Sequence, residues 1–374
     1  MDRFLLGKRL AEARNIAGQT QESVARAVDL DRTAIVALES GKRTLKVTEL
    51  VAIARVLDRP LSFFVEEPIP AAVSRRSSFR DTHESSAHLD VEIEQFAGDV
   101  RTLARLGKLE PVDLPNRHTP RTVKSAEAAA GRFRQLVGLE PHEPVTNLAR
   151  ICEALGLYSY AAALGENGSD GGCVEVEAGA AKFGATVING QVPTGRRRMT
   201  LAHELGHWIF GDAYDSEASP QAEKMIDAFA IHFLAPRAGV TKSWNSHPAH
   251  SERDRALIVA FDFRLSWSAT IAQLRNLGVI SWRAHDEWAG FTPRAGDWLR
   301  LELERVEELE APSLSPGFLA ACLDAYSDDL LTEERTLELL RGLVRRDDLP
   351  SRKPRTIEHL AGSFEGHSFS RHDA

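Results

Sequence analysis

His203, Glu204 and His207 stand within residues 200–210, TLAHELGHWIF. In a helix, residues four apart share a face, so two imidazoles at this spacing can reach one metal ion. Neutral imidazole suits Zn2+, and a carboxylate beside it can take a proton from water as hydrolysis begins. The pattern predicts metal-dependent peptide hydrolysis, with Glu204 as general base. The competing reading is an amphipathic core helix carrying two satisfied histidines. Leu201, Leu205, Trp208 and Ile209 already supply its apolar surface, so the histidines are not needed to fill a core. What the motif lacks is a third ligand.

Residues 211–220 read as a loop and 221–234 as a helix returning to the site, where Glu223 and Asp227 are four apart and share a face. Glu223 would complete a His-His-Glu set. Asp227 would then hold one histidine through its other ring nitrogen. A solvated acidic face is the alternative.

Other elements must position this helix. Helices are expected at 125–137 and 145–155, then strands at 157–162 and 172–176 around a glycine-rich turn, and a β-branched strand at 184–189. A strand beside a metallopeptidase helix can pair with an extended substrate through main-chain hydrogen bonds. Ala185, Thr186, Val187, Ile188 and Asn189 are the candidates for that strand. Helices follow at 251–261 and 266–277. The second carries Trp267, Ile271 and Leu274 at packing positions, with contact to DNA as the alternative. Trp282, Trp288, Phe291 and Trp298 are expected in the core, and 315–326 and 332–345 form a final helical pair. The polar stretch 350–374 is expected to be disordered.

A chain of 374 residues, 43% hydrophobic and 27% charged, is long enough for several cores. No run approaches the roughly 18 apolar residues of a membrane span, and the first ten residues do not read as a signal peptide. The expected compartment is the cytoplasm. Cys152, Cys173 and Cys322 are far apart and odd in number, so buried thiols are expected rather than a disulfide framework. The net charge of −8 is divided unevenly: residues 1–65 carry 11 Lys+Arg against 8 Asp+Glu, a small basic head before an acidic body.

That head reads as five short helices. Thr20 caps the second, Asp31 the third, Gly41 stops the third and Pro60 opens the fifth. Helices two and three have helix-turn-helix spacing. TQESVARAVDLDRTAIVALESGKR resembles the XRE/Cro/C1 repressor family over residues 5–65. The resemblance implies double-stranded DNA as partner, with Arg32, Thr33 and Ala37 at base edges and Gln21, Lys42 and Arg43 at phosphates. It gives Glu39 a structural role, and it implies a homodimer on paired half-sites. Ala37 is shorter than the family's usual polar residue there. A helical protein-interaction module is the alternative reading.

RRRMTLAHELGHWIF followed by EKMIDAFAIHFLAPR resembles the ImmA/IrrE family of zinc metallopeptidases over residues 125–280, with Glu223 at the family's ligand glutamate. Phe229, Ala230, Leu234 and Pro236 keep step. Ile226-Asp227 replaces the usual Ala-Asn, and His232 stands where an acidic or small residue is common. His232 and Tyr214 are candidate oxyanion donors, His232 having a structural role as its other reading.

The expected fold is mainly α with a small β-sheet (α+β). It comprises a helix-turn-helix domain at 1–66, a linker and helix at 67–124, a zincin-like domain at 125–285, a helical extension at 286–349 and a tail at 350–374. Within the linker stretch, 66–80 is rich in Pro, Ser and Arg, and 90–106 is a helix with Val91, Phe96, Val100 and Leu103 facing the following domain. The expected function is a DNA-binding regulator whose peptidase cuts a repressor or other regulatory protein in a stress, phage or mobile-element response. The alternative is a non-proteolytic repressor, or the antitoxin of a toxin-antitoxin pair, whose peptidase-like domain binds a toxin or senses a signal.

Overall fold

The computed structural model describes residues 2–57, 59–65, 74–76, 83–115, 118–211, 220–304 and 306–353. Most of the 66–80 linker, Tyr214 with its loop, and the tail beyond 353 lie outside the described residues.

The head is α1 (Arg3–Ile16), α2 (Gln21–Ala27), α3 (Arg32–Glu39), α4 (Val47–Val56) and α5 (Leu61–Val65). Thr20 caps α2 by accepting from the Ser23 amide, and the Thr20 amide in turn donates to the Ser23 hydroxyl oxygen. Asp31 occupies the N-cap of α3 without a side-chain bond. Leu10, Val24, Ile35, Ile53 and Phe64 are fully buried and form the head's core.

A three-residue strand, β1 (Ser74–Arg76), precedes the long α6 (His83–Arg105). α6 serves two cores. Phe96, Val100 and Leu103 pack into the body as expected, but Val91 belongs to the head's cluster. Polar contacts reinforce that seat. Arg9 donates to the Phe63 carbonyl at 2.9 Å and pairs with Glu94, while Arg59 donates to Glu92 at 2.7 Å.

The body continues through α7 (Val123–Leu136), α8 (Leu148–Ala154), β2 (Leu157–Ala162), β3 (Gly171–Ala178), β4 (Ala181–Asn189), α9 (Thr194–Phe210) and α10 (Pro220–Leu234). Then come α11 (Arg237–Asn245), α12 (Glu252–Asp262), α13 (Trp267–Asn276), α14 (Trp282–Ala289) and α15 (Ala295–Arg300). A two-residue β5 (Ser313–Leu314) leads to α16 (Pro316–Ser327) and α17 (Glu333–Leu339). The sheet order is β1-β3-β4-β2-β5, with β2 parallel to β4 and the other pairs antiparallel. Alternate residues face opposite ways. Leu157, Ala161 and Ile188 face the layer containing α9, whereas Tyr158, Tyr160 and Val187 face α6 and α16.

The C-terminal helices are therefore not an appendage. β5 pairs with β2, and Phe318, Leu339 and Leu340 complete the core on the α6 face. Trp288 is buried, but Trp282 is 72% exposed and does not join the expected aromatic core. All three cysteines are buried thiols outside any disulfide.

Glu92 on α6 gives this architecture a pH dependence. Burial opposes its ionisation, but His88, Arg341 and Arg59 outweigh that cost and hold its pKa at about 2, below the ordinary 4.5. A depressed carboxylate pKa means that the unfolded chain binds the proton first. The stabilisation is thus complete above about pH 4.5 and is lost as pH falls towards 2. Urea midpoints should fall between pH 5 and 3, and the Glu92→Gln chain, already less stable at pH 5, should show a smaller fall.

Candidate metal centre and nucleic-acid interface

α9 is buried on every side from Thr200 to Phe210. It lies against the sheet on one flank and α10 on another. Its first turn is anchored by two arginines. Arg197 donates to the Val192 carbonyl at 2.7 Å and to Glu307 at 2.8 Å. Arg198, fully buried, donates to the Val145 carbonyl at 2.8 Å and pairs with Glu308. Gly211 ends the helix at φ 70°, where its amide meets the His207 carbonyl.

The approach of α10 depends on Gly206. A Cβ there would lie 2.9 Å from Ile226 Cγ2 and 3.2 Å from Phe229 Cδ1, so a side chain would push the two helices apart. With glycine, the carboxylates of α10 reach the histidines. His203 Nε2 and His207 Nε2 are 3.0 Å apart, and Glu223 lies 3.3 Å from the first and 3.7 Å from the second. His203 Nδ1 is 2.9 Å from Asp227 Oδ1. With that nitrogen donating, a neutral His203 directs its Nε2 lone pair at the cluster.

The donor set fits a tetrahedral zinc ion. Metal–ligand bonds of about 2.0–2.1 Å place neighbouring ligand atoms about 3.3 Å apart. The three spacings bracket this value, and all three donors lie within 4.8 Å of one another. The histidine side chains are 2% and 1% exposed and Glu223 is 34% exposed, so the cluster opens on the α10 side. Burial opposes a charged His203, but its bonds to Asp227 and Glu223 and the charge of Glu204 outweigh this and raise its pKa. Burial likewise opposes the Glu223 carboxylate, yet the two histidines hold its pKa well below the usual range. Glu204 is fully buried beside them.

The structure relocates two expectations. Ala185, Thr186, Val187, Ile188 and Asn189 form a central strand. Ala185–Ile188 pair with β2 and β3 at once, and Asn189 pairs with Ala162 while its amide donates to the Asp170 carbonyl. With both main-chain edges of β4 used inside the sheet, these residues cannot pair with a substrate. His232 is buried and accepts from Gln273 Nε2 at 3.3 Å, and Gln273 also donates to the Ala235 carbonyl. α13 thereby packs inward through Thr270, Ile271, Gln273 and Leu274, against the alternative of DNA contact. Gly206 and the partners Glu307 and Glu308 were not singled out from sequence. The glycine stood in the motif, but the glutamates lie about a hundred residues from their arginines.

On the head, Arg32, Thr33 and Lys42 are exposed, and Ala37 is half-buried on α3. Gln21 Nε2 donates to Glu39 at 2.8 Å, and Arg14 donates to the same carboxylate at 2.6 Å, so Glu39 ties α1, α2 and α3 together. Arg43 is half-buried and donates to Glu49 at 2.7 Å.

A helix-turn-helix family model matches residues 10–64, and a model described as IrrE N-terminal-like domain matches residues 152–274. No curated protein and no solved structure matches the chain. Among the described residues, no helix is long and apolar enough to cross a membrane. The chain joins an XRE-type helix-turn-helix at residues 10–64 to an IrrE/ImmA-like peptidase domain at residues 152–274.

Proposed function

We propose that the chain is a DNA-binding transcriptional regulator and a zinc endopeptidase that cuts a repressor or other regulatory protein, in a stress, phage or mobile-element response. The observation that carries this reading is the cluster of His203, His207 and Glu223 at tetrahedral spacing, with Glu204 beside it on the same helix. A domain used for binding alone has no need of that carboxylate. The head supplies the address. Arg32 reads a base edge and Lys42 contributes to affinity through phosphate, as a homodimer on paired half-sites.

His203 Nε2, His207 Nε2 and the Glu223 carboxylate would hold the zinc. When bound there, zinc lowers the pKa of water and polarises a peptide carbonyl. Glu204 takes the proton from the attacking water and delivers it to the leaving amine. Asp227 accepts from His203 Nδ1, fixing the tautomer and the plane of the ring.

Metal analysis tests the reading. The purified chain should carry one zinc at neutral pH, and Asp227→Asn should weaken zinc affinity by about 10–100-fold in a chelator competition. A chain that takes up no zinc while all three donors are intact would overturn it.

A further inference from the structure

Since β4 is enclosed, the place where an extended peptide can reach the metal helix lies elsewhere in the sheet. β3 packs against the start of the motif. A Cβ at Gly171 would lie 2.8 Å from Thr200 Cγ2, one helical turn before His203. Cys173 Sγ is 3.7 Å from the Glu204 carbonyl oxygen. The inner edge of Gly171–Cys173 pairs with β4 at Ile188, Val187 and Thr186. Gly171 lets β3 lie close against α9, since any side chain there would meet Thr200.

That outer edge is occupied by the chain itself. Ser74 pairs with Cys173, Arg75 with Gly172 and Arg76 with Gly171, all antiparallel. These three residues belong to the connection between the DNA-binding head and the body. β1 also touches α9, the helix that carries His203 and Glu204.

We infer that the outer edge of β3 at Gly171–Cys173 is where the protein substrate adds as a strand, and that the chain's own connection, Ser74–Arg76, is held there in cis as its competitor. This rests on the peptidase reading of the metal centre and adds to it a regulation. Strand addition draws its affinity from main-chain hydrogen bonds, so a segment of unrelated sequence can compete. A tethered segment acts at an effective concentration of about millimolar, far above that of a regulatory protein in solution. Movement of the head relative to the body would withdraw the strand and open the edge.

The test uses the full chain and a variant carrying Ser74→Pro, Arg75→Gly and Arg76→Pro, which lacks the two β1 amides opposite Cys173 and Gly171 and an extended preference between them. In the metal-free proteins, the amides of Gly171 and Cys173 should exchange with deuterium at least about tenfold faster in the variant, because they no longer donate to the carbonyls of β1. With zinc bound, the variant should cleave a quenched-fluorescence peptide library with KM lowered about fivefold or more and kcat unchanged. A synthetic peptide of residues 70–80 should inhibit the variant competitively. Cleavage of the wild-type chain within 74–77, absent from Glu204→Gln, would also place this segment in the substrate's position. Equal exchange in the two proteins, or equal KM with both active, would overturn this inference alone. If zinc binds and neither protein cuts any peptide, the peptidase reading falls and takes the inference with it.

Discussion

Glu204→Gln is expected to lower peptide hydrolysis by about 10²–10⁴-fold while zinc content stays at the wild-type level. Glutamine preserves the size and most of the hydrogen bonding of the side chain but cannot take a proton. Glu204 is fully buried and immediately follows His203 on α9, so the substitution removes the base without moving a donor of the metal cluster. Initial rates on a peptide library, with zinc measured in the same samples, separate the two effects. A Glu204→Gln chain that cuts at the wild-type rate would remove Glu204 from the mechanism, and a chain that loses zinc as well would give it a structural part.

The largest stability effect is expected at Asp99 of α6, the helix on the sheet face opposite the metal helix. Asp99 is 2% exposed and accepts from Arg335 at 2.8 Å and from Arg341 at 2.7 Å. Glu92, one helical stretch earlier, accepts from Arg59 of the head and lies 3.5 Å from Arg341. Asp99→Asn would leave two largely buried guanidinium groups without their main counter-charge. Removing one partner of such a network costs about 3–5 kcal/mol. Urea unfolding should show this loss, and pairing the change with Arg335→Gln should recover part of it in a double-mutant cycle. An Asp99→Asn midpoint equal to wild type would show that the network contributes nothing to holding α6, α17 and the head together.

The head was legible because its signals are local. Thr20, the short Asp29–Asp31 link and Gly41 act within a few residues of themselves, and each lies at the helix boundary it was expected to set. The helix 90–106 was legible as a helix but not as a shared one. Periodicity shows that Val91 and Phe96 are buried, whereas the partner each one meets depends on how the head and body are docked. The same limit applied at Trp282, whose aromatic character suggested a core while the fold left it on the surface.

By itself the sequence determined that His203 and His207 share a helical face with Glu204 between them, and that Glu223 and Asp227 share another. Those relations follow from helix geometry, which each segment fixes through its own backbone bonds. Only the tertiary structure decided that the two faces meet, because their contact depends on α10 passing close to α9 at Gly206. It alone decided that Ala185–Ile188 are enclosed and that Gly171–Cys173 lie at the edge taken by Ser74–Arg76. Strand order is set by pairings between distant parts of the chain, and a β-branched strand reads the same in the centre of a sheet as at its edge.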